Sequence, residues 1–123
     1  MTESRLAVVT GTSRGLGLAI ANRLIADGFR VVGVSRSRPS DSDLQDQAGL
    51  YAHVDFDASD VDGISDLARD IQKAHGAHFA LVNNAAVGTD GILPTMHNSD
   101  IAAVLALNLT SPIVFCKYFS RPM

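Results

Sequence analysis

Leu6-Ala7-Val8-Val9-Thr10-Gly11-Thr12-Ser13-Arg14-Gly15-Leu16-Gly17-Leu18-Ala19-Ile20 is the stretch on which the fold turns. Its first part, Leu6 to Val9, is a short β-branched run of the kind found in a buried parallel strand. Further on, Leu16, Ala19, Ile20 and Leu24 recur at helical spacing, and Asp27-Gly28 closes that helix with a glycine. Between the two lies the octet Thr10 to Gly17. Strand, glycine-rich turn and helix start together make an anion site. Positions without side chains let backbone N–H groups close on a pyrophosphate, and the helix N-terminus adds a favourable dipole. Gly11, Thr12, Ser13, Arg14, Gly15, Leu16 and Gly17 are therefore the first candidate binding residues.

Working outward, Arg30 to Ser35 reads as a second strand. Arg36 to Gly49 is polar, holds Pro39, and suits a loop with at most a short helix near Leu44. Tyr51 to Phe56 alternates as a third strand, and Ser59-Asp60-Val61-Asp62 resembles a capping box. Val61, Ile64, Leu67, Ala68, Ile71 and Ala74 trace an amphipathic helix that stops at Gly76. Phe79 to Val82 is a fourth strand, with Asn83 to Gly88 as its exit turn and a loop running to Pro94. Asn98 or Ser99 caps a last helix from Ile101, whose sparse charge predicts burial on most sides. Strands alternating with helices, without hairpin signals, give a doubly wound α/β domain with a parallel sheet and three layers. Right-handed crossovers place the strands in the order third, second, first, fourth. The order reverses between the first and fourth, and ligands bind at such a switch point. The glycine turn and the Asn83-Asn84 turn both fall there.

The bulk numbers fit that reading. With 123 residues there is room for one domain, and 46% hydrophobic against 19% charged residues is ordinary for a globular chain. A net charge of −3 gives no electrostatic case for nucleic acid or an anionic membrane surface. Cys116 is the single cysteine, which suits a reducing, cytoplasmic compartment; on an apolar helix it is expected to be packed. The amino end is too short in apolar residues for a signal peptide, and no stretch reads as long and apolar enough to span a bilayer. His75 and His78 are the nearest histidine pair, but Gly76 lies between them and no further ligand is well spaced, so no metal site is expected.

Thr10-Gly11-x-x-x-Gly15-x-Gly17, then Asn83-Asn84-Ala85-Ala86, then Asn108, resemble the N-terminal half of the short-chain dehydrogenase/reductases, from about Leu6 to the end. The resemblance implies a Rossmann-type fold, a nicotinamide coenzyme, and hydride transfer between an alcohol and a carbonyl. The family usually has Gly where Ala86 stands, and its chemistry needs a Ser and a Tyr-x-x-x-Lys pair. Neither tyrosine here supplies that pair, because Tyr51 is followed by Asp55 and Tyr118 by Pro122. The chain thus resembles the coenzyme-binding half of such an enzyme, a Rossmann sheet cut after about four strands. Its alternative is a non-catalytic nucleotide-binding or association module. An open fourth strand and a partly uncovered last helix would favour self-association, so a homo-oligomer is expected.

Other residues take roles within this frame. Ser35 stands where NAD-preferring sites carry an acid, so no carboxylate repels a 2′-phosphate; Arg14 and Arg36 would converge on it, which predicts NADP over NAD. By the resemblance, Asp57 and Ala58 contact the adenine, with Asp55 as the competing register. Asn83 and Asn84 suit a turn in their own right; the resemblance implies that with Ala85 they also line the adenosine, chiefly through backbone, with at least one Asn side chain structural. Pro112 deprives the Asn108 carbonyl of its helical partner, which predicts a kink. In the family that carbonyl holds a water serving the catalytic Lys, the one catalytic role Asn108 could have; without Tyr and Lys, a local structural role fits better. The substrate would be a small carbonyl or alcohol, and nothing in these residues selects which.

Overall fold

A computed structural model describes residues 4–88 and 91–123. Four parallel strands, β1 (Leu6–Thr10), β2 (Arg30–Ser35), β3 (Tyr51–Asp55) and β4 (Ala80–Val82), lie in the order β3-β2-β1-β4. This is the expected order, with its reversal between β1 and β4. Every residue of β1 is buried, as a central strand covered on both faces must be. Register runs Leu6↔Arg30 to Thr10↔Val34 on one side of β1 and Ala7↔Ala80 to Val9↔Val82 on the other.

Alternation along the strands sorts the core into two layers. Leu6, Val8, Val32 and Val34 face α2 (Ile64–His75) and α4 (Ser111–Phe119), meeting Ile64, Leu67, Ile71, Phe115 and Phe119. Val9, Val31 and Tyr51 face α1 (Gly15–Ala26), meeting Ala21 and Ile25. A helix layer on each side of one parallel sheet is the predicted three-layer architecture.

Several local expectations give way to packing. The buried stripe of α1 is Gly17, Ala21 and Ile25, while Leu16 is 69% exposed. The predicted face is thus displaced by about one position, because a glycine and an alanine allow the closest approach to the sheet. Ser59 forms no capping box: its N–H and hydroxyl both donate to Asp57 Oδ1, and a 3-10 turn at Val61–Gly63 precedes α2. No helix forms near Leu44, where a turn closes from Leu44 N–H to the Ser40 carbonyl. His97 precedes α3 (Asn98–Leu105), and neither Asn98 nor Ser99 caps it with a side chain.

The last helix differs most. It is continuous from Asn98 to Phe119, but a π turn at Ala106–Thr110 separates α3 from α4. The Ser111 N–H reaches back five residues to the Ala106 carbonyl. This wide turn absorbs the bond that Pro112 cannot make, so the anticipated kink takes the form of a π bulge. Burial on most sides is overturned: α3 has no buried residue, and α4 buries only Ser111, Phe115 and Phe119. At 22 residues, about 33 Å long, and with an 18-residue stretch of mean hydropathy 1.6, it does meet the length and apolarity of a bilayer span, against the expectation that no stretch would. Here it is a domain helix, with Phe115 stacked on Phe119 at 5.4 Å inside the core.

Candidate functional site

The carboxyl ends of β1 and β4 diverge at the switch point, and a cavity of about 560 Å³ opens there. It brings together Gly11, Ser13, Arg14, Gly15, Arg36, Asp57, Ala58, Asn84 and Ala85 from the sequence-derived set. Thr12, Leu16, Gly17, Asn83 and Asn108 do not line it. Ser35, read from the sequence as the uncharged residue at the discriminating position, and Ala86 also line it, while Val87, Ala103 and Leu107 complete much of the wall with no sequence signal of their own.

The glycine turn is built around a close approach. A Cβ on Gly17 would overlap the Gly11 carbonyl, so only glycine lets α1 start directly above the end of β1. Arg14 precedes α1 in extended conformation and offers no side-chain cap, and the first turn holds no acid. The first-turn N–H groups therefore lack a side-chain partner, and Gly15, which opens the helix, lines the cavity at the positive end of the helix dipole. That donor set suits a pyrophosphate.

Thr10 ties the two turns together. Its hydroxyl accepts from the Asn84 and Ala85 N–H groups, both at 3.0 Å, and lies 3.4 Å from the Val82 carbonyl it can donate to. Asn84 Nδ2 donates to the Gly11 carbonyl at 3.2 Å, the structural side chain expected in this pair. Asn83 is exposed, its Nδ2 3.5 Å from Cys116 Sγ. Cys116 is exposed too, against the expectation of a packed thiol, because it lies on the bare side of α4. Asn108 grips the exit turn at two points: its Oδ1 accepts from Val87 N–H at 2.8 Å, and its Nδ2 donates to the Val87 carbonyl at 2.6 Å. Its bonding is structural, but to a distant loop.

At the far end of the cavity the charges are mixed. Arg14 and Arg36 are exposed at its rim, and Ser35 ends β2 where an acid could have stood. Asp57 Oδ1 accepts from the Ser59 hydroxyl at 2.7 Å and its N–H at 3.0 Å. Those bonds hold the carboxyl below the usual carboxylate range, against a small desolvation cost and with a smaller pull from Arg36. Asp55, the competing register, turns instead towards His53. Thr10 could have been suspected as a strand-end hydroxyl at the switch point; the wall from Ala103 and Leu107 depends on helix placement and left no local signal.

Fold and cleft define a parallel α/β domain with a glycine-rich turn and a cavity at its switch point. The chain belongs to the short chain dehydrogenase family, an oxidoreductase family whose pattern matches residues 5–123. It is 31% identical over 122 residues to the 3-oxoacyl-(acyl-carrier-protein) reductase of Salmonella typhimurium, covering 98% of this chain and 50% of that protein. Against the corresponding reductase of Mycobacterium bovis it is 33% identical over 120 residues, covering 98% and 46%. A metagenomic short-chain oxidoreductase solved in complex with NADP superimposes with a TM-score of 0.85 at 36% identity, over 97% of this chain and 56% of that one. The chain spans about half the length of the curated relatives it matches.

Proposed function

We propose that this chain is the NADP-binding part of a short-chain dehydrogenase/reductase that interconverts a carbonyl and an alcohol. The observation that carries this reading is the cavity rim: Arg14 and Arg36 stand at it while Ser35 ends β2 without a charge. Two guanidinium forks suit the oxygens of a 2′-phosphate, and the absent carboxylate removes the repulsion that selects for NAD. The NADP complex of the metagenomic relative points the same way.

The residues divide the work. Gly11, Ser13 and Gly15, with the neighbouring first turn of α1 at Leu16 and Gly17, hold the pyrophosphate; Asp57 and Ala58 meet the adenine; Asn84 and Ala85 line the adenosine through backbone. Thr12 and Asn83 support the wall from behind, and Asn108 positions it. A nicotinamide coenzyme would supply the hydride, and the chain's share is binding and orientation. Tyr51 and Tyr118 lack a lysine four residues on, so this chain by itself should not turn over. A cytoplasmic setting suits the lone exposed thiol.

Calorimetry on the 123-residue chain tests the reading. NADP should bind more tightly than NAD, and Arg36→Asp should invert the order. An unchanged ratio rejects the role of Arg36, and heat from neither dinucleotide rejects the site. Robust NADPH oxidation by this chain would show that chemistry does not need the missing pair.

A second reading, an association module, is favoured by one observation. Leu105, Leu109 and Ile113, spaced four apart, are 53%, 57% and 62% exposed along the outer helix. β4 is also an edge strand of three residues. Both surfaces suit a homo-oligomer.

A further inference from the structure

Behind the glycine turn runs a line of polar side chains that the coenzyme reading leaves unused. The Thr12 side chain is fully buried, with its hydroxyl 2.9 Å from the Tyr51 hydroxyl. That same phenol lies 2.8 Å from His53 Nδ1. His53 has only 6% of its side chain exposed, and Asp55 Oδ1 stands 3.0 Å from its Nε2. That nitrogen is buried, and the Asp55 carboxylate is the charged group beside it. At the other end, Thr12 Oγ1 is 3.5 Å from Ser35 Oγ, which donates to the Ser37 carbonyl at 2.7 Å. Tyr51, His53 and Asp55 alternate along one face of β3. Gly33 makes the passage possible: a Cβ there would overlap the Tyr51 hydroxyl.

Resting on the coenzyme-site reading above, we propose that Tyr51 and His53 are positioning residues for the dinucleotide, acting through the Thr12 hydroxyl. Each hydroxyl has one proton, and this fixes the sense of the line. In the neutral tautomer that carries its proton on Nε2, the nitrogen beside the Asp55 carboxylate, Nδ1 accepts from Tyr51, Tyr51 accepts from Thr12, and Thr12 is held at the short contact. A proton on His53 makes Nδ1 a donor. The phenolic proton must then turn to Thr12 Oγ1, and the Thr12 proton to Ser35 Oγ, which is free to accept across the longer gap. The strain falls on residues 11–13 and on the end of β2, where pyrophosphate and 2′-phosphate would sit.

The groups facing the ring are Tyr51 and Asp55 from β3 and Arg38 from the segment after β2. Burial holds His53 below its ordinary value of 6.5, Asp55 and the Ser35 backbone at the end of β2 oppose, and Arg38 adds to the lowering. Burial also raises Tyr51, so it remains a proton donor throughout. The neutral line therefore prevails at pH 7, and acid reverses it.

The test compares dissociation constants for NADP and NAD between pH 8 and pH 5 in the wild-type chain, Tyr51→Phe and His53→Gln. Circular dichroism melts confirm that each variant is folded. NAD, which lacks the 2′-phosphate, separates protein titration from that of the ligand. Wild-type affinity should fall about tenfold on acidification, equivalent to about 1.4 kcal/mol, for both dinucleotides. Either folded variant should flatten that profile and bind more weakly at pH 8. Nitrogen NMR of the wild-type imidazole should show the titration in the same pH range. Superimposable profiles for wild type and a folded variant overturn the relay. If wild type binds neither dinucleotide at any pH, the coenzyme reading itself fails and the relay fails with it.

Discussion

Gly17 does more for the site than its absence from the cavity wall suggests. Its missing side chain sets the distance between α1 and the end of β1. Gly17→Ala should destabilise the chain by about 1–3 kcal/mol, through overpacking against backbone that cannot move aside. On thermal melting that is a fall of about 2–8 °C for each kcal/mol, accompanied by loss of dinucleotide binding. Asn108 exemplifies the other kind of positioning residue. Asn108→Ala removes both bonds to Val87 and should cost about 1 kcal/mol at this exposed position. Hydrogen exchange at the Val87 amide should rise, while that at the Asn84 and Ala85 amides, held by Thr10, should not. At this scale the sequence was legible where chemistry is local. Residues of the glycine turn, Arg36 directly after β2 and Asp57 after β3, singled out by type and spacing, line one cavity. The relay from Thr12 to His53 did not, since residues 39 and 41 positions apart meet only through strand pairing.

Elements were readable in proportion to how fully their own residues explain their surroundings. α2 carries a clean apolar stripe, and Ile64, Leu67, Ala68 and Ile71 are the residues it buries. The run Asn98–Phe119 gave the wrong burial because an apolar composition says nothing of how many sides are covered. Its covered side is short, and its outer stripe of Leu105, Leu109 and Ile113 faces outward. Replacing that stripe's centre, as Leu109→Glu, should lower self-association without lowering dinucleotide affinity. Sedimentation velocity over a range of concentrations checks this; identical profiles for wild type and variant would remove the stripe from any assembly. The π turn was half legible: Pro112 predicts an interrupted helix, while the form of the interruption depends on the packing of Phe115 and Phe119 below it.

The whole molecule carries two histidines that folding leaves inside. Burial lowers the proton affinity of both His53 and His78, the latter edge-on to Phe119 at 5.1 Å. Above the ordinary value of 6.5 neither state is protonated, so neither histidine penalises folding. As pH falls below 6.5 the unfolded chain takes up protons first, and stability declines until the folded-state values are passed. Asp57, lowered in the folded state, adds a further loss only in the carboxylate range. Melting temperature should therefore fall between pH 6.5 and pH 5, and His78→Gln should reduce that slope.

Seen from the outer helix, the grip of Asn108 on Val87 has a mechanical meaning. One helical run carries the bare leucines on its outside and, at Ala103 and Leu107, part of the cleft wall on its inside. Two short bonds fasten the adjoining loop to that run. The apolar exterior and one side of the crevice therefore share a single support, so a substitution within that helix bears on both surfaces at once.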